Sequence, residues 1–128
     1  MKPTTKLEAV QLASLDLVSG SAGLSGGPPH AVIAPVVNLG RASAGFVVIE
    51  CDLEPSPSPQ WSTALEVTVR TGGSSASANT IVASFVLQGA GPMSARDVMK
   101  LEPYVQVSAR IARAGSNARN LRVRLERA

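Results

Sequence analysis

Few residues in this chain are equipped for chemistry, and their spacing decides how each is read. The single histidine, His30, follows "LSGGPP" in a glycine- and proline-rich stretch. General acid–base catalysis needs a tunable group held in place, and no nucleophile-elbow pattern accompanies this one. His30 reads as a loop residue, and a hydrolase built on it is the third-ranked functional reading. Glu50, Asp52 and Glu54 recur at every second position of "VVIECDLE". That spacing makes an acidic comb along one strand face rather than a carboxylate pair in a pocket. Cys51 interleaves with them on the apolar side and reads as a buried, inert thiol. One cysteine excludes an intrachain disulfide, and one His with one Cys cannot build a transition-metal cage. "DLEPSP" lacks the dense Asp/Asn/Gly spacing of a calcium loop. Gly-rich "LSGGPPH" and "RTGGSSAS" lack the lysine of a phosphate-binding loop. No enzyme activity, metal or cofactor is expected.

The basic residues pose a different question. Six of the twelve, Arg110, Arg113, Arg119, Arg122, Arg124 and Arg127, fall in the last stretch, "YVQVSARIARAGSNARNLRVRLERA". From Arg96 onward there are eight basic and three acidic residues, against four and six before it. A nucleic-acid binder interleaves such charges with aromatic rings for stacking, yet Tyr104 is the only aromatic nearby. Arg122 and Arg124 stand at strand spacing, so the arginines read as the hydrated side of a sheet, and nucleic acid is not an expected partner. The acidic comb Glu50, Asp52, Glu54 and the basic pair Arg122, Arg124 have opposite sign at the same period. They can pair across neighbouring strands of one sheet, or between copies of the protein. At least one comb is expected in or beside a subunit interface. Aromatics make up 3% of the chain, leaving Trp61 and Tyr104 as the rings for a sugar-binding platform. Trp61 equally suits capping one end of the core, and Tyr104 a place at the rim of a sandwich.

The elements that would position these residues announce themselves by alternation. Leu65, Val67 and Val69 alternate with Glu66, Thr68 and Arg70. Val105, Val107, Ala109 and Ile111 alternate with Gln106, Ser108 and Arg110. Leu121, Val123 and Leu125 alternate with Arg122, Arg124 and Glu126, and Val47, Ile49, Cys51 and Leu53 share one face. "TIVASFVLQ" and "AVIAPVVNL" are more continuously apolar, the signature of strands covered on both faces. Pro35 makes the latter an edge strand or breaks it in two. The stretches "SGSAGLSGGPPH", "EPSPSPQ", "TGGSSASAN", "QGAGPMS" and "AGSNARN" have turn and loop composition. "SARDVMKLEP" is ambiguous: Ser94 with Asp97 resembles a helix start, and Pro103 limits any helix to about two turns. Residues 6–18 fit a strand or an extended arm. The spacing predicts seven or eight strands in an all-β, two-sheet antiparallel β-sandwich, jelly-roll-like. Residues 1–18 form an N-terminal arm or first strand, and 19–128 the sandwich domain. No run nears the ~18 apolar residues of a spanning helix, and the N-terminus lacks the apolar stretch of a signal peptide. Synthesis in a cytoplasm, without a membrane partner, is expected.

The order "WSTALEVTVRTG", a Ser/Gly-rich loop, "YVQVSARI" and a closing "NLRVRLER" resembles the last strands of jelly-roll modules in tailed-phage virions. It is also similar to discoidin-like and carbohydrate-binding sandwiches. The resemblance covers about residues 61–127, and Pro103 stands where many such modules place a basic residue before the tyrosine. What it implies is a virion accessory protein: a capsid decoration (cement) protein, or a small fibre or tail component. Its implied partners are copies of itself, a trimer being favoured, and the major capsid protein or another virion protein. The runner-up is a carbohydrate- or receptor-binding module of a tail or fibre.

Overall fold

The computed structural model describes residues 8–17, 32–54, 63–111 and 117–127. Nine strands follow in order: β1 (Glu8–Leu17), β2 (Val32–Ile33), β3 (Val37–Asn38), β4 (Ser43–Leu53), β5 (Thr63–Gly72), β6 (Thr80–Gly89), β7 (Gly91–Leu101), β8 (Tyr104–Ile111) and β9 (Ala118–Arg127). They form two antiparallel sheets. Sheet A has the order β1-β9-β4-β7, and sheet B the order β2-β8-β5-β6 with β3 also on β8. The residue types explain the choice. Each strand carries Val, Leu or Ile at every second position, so one face of each sheet is apolar and must be covered by the other.

The expected inward residues are all buried. Val47, Ile49, Leu65, Val67, Val69, Val105, Val107, Leu121, Val123 and Leu125 form the centre of the core, with Cys51, Leu53, Ala109 and Ile111 beside them. Ninth-strand status comes from a break rather than an extra element. β2 and β3 both pair with β8, at Val32↔Ala109, Ile33↔Ser108, Val37↔Val105 and Asn38↔Tyr104. They are one edge strand interrupted at Pro35, where the ring removes a ladder donor. Counted as one, they give eight strands whose sheet orders, 1-8-3-6 and 2-7-4-5, are those of a jelly roll.

Two ambiguous segments resolve as strands. β1 pairs with β9 from Glu8↔Arg127 to Leu17↔Ala118, with register shifts between Gln11 and Ala13 and between Leu15 and Leu17. The first shift, with Leu12 as the extra residue, resets the inward phase of β1, so Leu12 and Ala13 are both buried and strict alternation is lost; the second has its extra residue in β9. The Ser94–Asp97 pattern starts no helix. The whole of β7 pairs with β4, from Ser43↔Leu101 to Leu53↔Gly91, and ladder formation overrides the local cue. The Asp97 carboxylate accepts a 2.9 Å hydrogen bond from the Val98 N–H next to it. "QGAGPMS" is mostly strand as well, since β6 runs to Gly89 and β7 starts at Gly91.

Sheet A is tightest where β4 passes β9. A Cβ on Gly45 would run into the backbone carbonyl of Glu126 and lie 3.1 Å from the Arg127 Cα. These neighbours are all β9 backbone, which leaves nothing flexible to give way. Gly45→Ala is therefore expected to destabilise the fold by about 1–3 kcal/mol, the usual cost of overpacking, read as a lower denaturant midpoint; an unchanged midpoint would contradict this packing.

Candidate functional site

The two charged combs meet within the chain. β4 and β9 are neighbours, with Glu50 opposite Arg122 and Asp52 opposite Arg119. On the outer face of sheet A, the Arg124 guanidinium reaches diagonally to donate to Glu50 and lies 3.7 Å from Glu126. Arg119 Nε donates to Glu54 at 2.6 Å, and Asn117 Nδ2 donates to the other Glu54 oxygen, also at 2.6 Å. These bonds, that from Arg119 first, hold the Glu54 carboxyl below its ordinary value. Of the two arrangements open to the combs, cross-strand pairing is the one found. Arg122 has no ionic or hydrogen-bonded side-chain partner among the described residues.

A bulge organises the end of this lattice. The β4–β9 register shifts between Glu50 and Asp52, and Asn120 takes a left-handed conformation with φ of 54°. Asparagine tolerates that region better than most residues. Its N–H donates to Asp16 at 2.8 Å, and its side-chain amide reaches Asp52 at 3.5 Å. Between β7 and β9, above Val48, lies an open groove of about 660 Å³ lined by Glu50, Asp52, Ser94, Arg96, Asn120 and Arg122. Arg96 lies 3.8 Å above the Phe46 ring centroid and 4.0 Å from Glu126. The groove thus has both signs of charge and an apolar floor.

One arginine is not on the hydrated face. Arg127 shares its phase with Leu121, Val123 and Leu125, and it is buried at 7% exposure. It donates to the Leu39 carbonyl at 3.0 Å and to Ser43 Oγ at 2.8 Å, and pairs with Glu8 at 3.1 Å. Burial of a guanidinium requires such partners, so Arg127 is a structural clasp joining β1, β4 and β9. Arg110, by contrast, is exposed and donates to Glu66 at 2.6 Å.

Trp61 and His30 lie outside the described residues. Tyr104 is half-buried at the start of β8 in sheet B, between Asn38 and Gly72, and its carbonyl accepts from Thr71 Oγ1 at 3.0 Å. Cys51 faces the core, and burial, with the neighbouring Asp52 charge, pushes its thiol up to about 11. It is not a thiolate near neutral pH. Among the described residues, no group of three His, Cys, Asp or Glu is placed to hold a metal ion. No helix there is long and apolar enough to cross a membrane.

A feature the patterning did not foretell is the rim made by β6 and β7, which contact each other as the outermost strands of their sheets. Ile81 and Val86 on β6, and Val98 on β7, are exposed at 57%, 63% and 61%. Phe85, Met93 and Met99 are only partly buried against the core. This overturns the expectation that "TIVASFVLQ" is covered on both faces: it is an edge strand whose outer face is bare. "AVIAPVVNL" is likewise an edge, with Ile33 exposed. In comparisons with known proteins, no family model and no curated sequence matches the chain.

The Glu54 pairing gives a signed pH effect. A carboxyl depressed below its ordinary value of 4.5 contributes stability above that pH and loses it as the pH falls through the folded value. Glu54→Gln is expected to lower the melting temperature at pH 7, and the gap from wild type should close on acidification below 4.5; a gap independent of pH would contradict the pairing.

Proposed function

We propose that this chain is a non-enzymatic structural protein of a virion, a decoration protein that associates with copies of itself and docks on a capsid. The observation that carries the reading is the β6–β7 rim. Large apolar side chains on monomeric proteins are normally scattered singly. Here Ile81 and Val86 stand on the outer face of β6 and Val98 on the outer face of β7, and between these two edge strands Phe85, Met93 and Met99 are incompletely covered. A second copy of the chain provides the missing cover. The jelly-roll order supports the same reading, since it presents two broad, rigid faces and a rim suited to stacking side by side.

In such a role the work is mechanical. A decoration protein bridges neighbouring capsomers and adds buried area across seams that the pressure of packaged DNA tends to open. The sheet A face suits docking by field complementarity, because its paired charges fix orientation more than affinity. Arg122, unpaired among the described residues and in the groove beside Arg96, is a cation available to an acidic patch on a shell.

The experiment is mass-resolved sizing of the purified chain, followed by incubation with particles of the parent virus from which its gene has been deleted. Concentration-dependent self-association and stoichiometric attachment to those particles are expected. A monomer at every concentration that also fails to attach would overturn the proposal.

A further inference from the structure

An edge strand presents a row of unpaired N–H and C=O groups, and stable folds blunt such rows with charge, proline, bulges or brevity. Three of the four edges in the described sandwich are blunted. β1 carries Glu8 and Asp16 and changes register twice against β9. β2 and β3 are two residues each and are parted at Pro35. β7 carries Pro92, Arg96 and Lys100, and Asp97 sits opposite the fully buried Val47, on the inward face of the edge. An inward-pointing charge there resists any strand added beside it.

β6 has only one of these devices, a bulge at Val82 near its start. Its ten residues, "TIVASFVLQG", include no charge and no proline. Its register with β5 is unbroken from Ala83 to Gly89. That seven-residue stretch is therefore a regular, uncharged template for strand addition, on the rim identified above.

We propose that β6 pairs with β6 of a second copy of this chain, antiparallel about a two-fold axis, so that sheet B continues across the dimer. The inference rests on the self-association reading and names its contact. The second copy is the occupant for two reasons. A strand without charge meets itself with no like-charge pair, the usual penalty for self-pairing. And among the described strands a second copy offers no other edge both long enough and unblocked, so the strand that β6 receives is β6. Such a contact is isologous and closes at two copies; a trimer would need another interface. Strand geometry narrows the register further, because inward residues must meet inward residues. Centring the axis on Val86, the midpoint of the regular stretch Ala83–Gly89, satisfies this. Val86 then faces its own copy on the outer surface, and Phe85 faces Leu87 on the inner one. The pairing covers the most exposed large apolar side chain of the described residues, at 63%, and the half-buried ring beside it.

The test uses the full chain in solution, without capsids, by sedimentation over a range of concentrations. Wild type is expected to be dimeric. Val86→Lys puts two like charges opposite each other on the axis and should weaken the dimer by at least ~100-fold. Val98→Lys alters a residue of nearly equal exposure, 61%, on the other rim strand, and should leave the dimer intact, as should the uncharged, β-branched Val86→Thr. Val86→Cys should form a disulfide-linked dimer on oxidation, since directly opposed strand residues lie within disulfide reach. This readout decides the matter if the lysine variant does not fold. A wild-type oligomer unmoved by Val86→Lys, or one that Val98→Lys dissociates equally, would overturn the β6 contact while leaving self-association standing. A wild type that stays monomeric would overturn both.

Discussion

The register between β4 and β9 is the constraint on which the rest depends. In one alternation it sets Val47 against Leu125 and Ile49 against Val123 in the core. In the other it sets the β4 acids beside the β9 arginines on the outer face. A slip of one residue would turn inward either Glu50 and Asp52 of β4 or Arg122 and Arg124 of β9, and expose the apolar residues of that same strand, because the side-chain period is two. The ion pairs are solvent-exposed, so they contribute little to stability. β9 is also the strand to which β1 attaches, so fixing β4 against β9 fixes three strands of sheet A together.

What was legible in the sequence follows from this. β4, β5, β8 and β9 each bury one face against the other sheet, and their alternation was plain. Edges were harder. β7 packs its inward side on a rim that is half open, so Asp97 occupies an inward position without penalty and the apolar phase is diluted. β1 hides its phase behind a bulge at Leu12. Neither the bulge nor the open rim is a property of the residues concerned; both arise from what lies next to them, which a single sequence does not state.

The candidate site shows the same division. The combs at Glu50, Asp52, Glu54, Arg122 and Arg124 were visible as spacing, but opposite charge is satisfied equally by a neighbouring strand or a neighbouring molecule. Only strand order distinguishes the two, and it puts β4 beside β9. Arg127 was readable in principle, since it keeps the inward phase of Leu121, Val123 and Leu125. A terminal arginine is read as solvated by habit, and the Ser43 hydroxyl and Leu39 carbonyl that receive it come from a distant part of the chain.

β6 carries the most informative mismatch. Apolar residues on both faces of a strand suit a strand covered on both sides, but the pattern does not state whether any cover is present. In sheet B one face of β6 lies on the core, and on the other Ile81 and Val86 are exposed, with no cover from the described residues. A long uncharged edge of this kind invites indiscriminate strand addition, and the other edges show that this sequence has the means to prevent it: Pro35, Pro92, Asp97 and the β1 bulge. Apart from a bulge at Val82, near its start, β6 lacks them, which accords with its exposed apolar face. An edge left open beside a face left dry is consistent with one occupant for both, and the two-fold copy is the arrangement in which neither copy keeps an open edge.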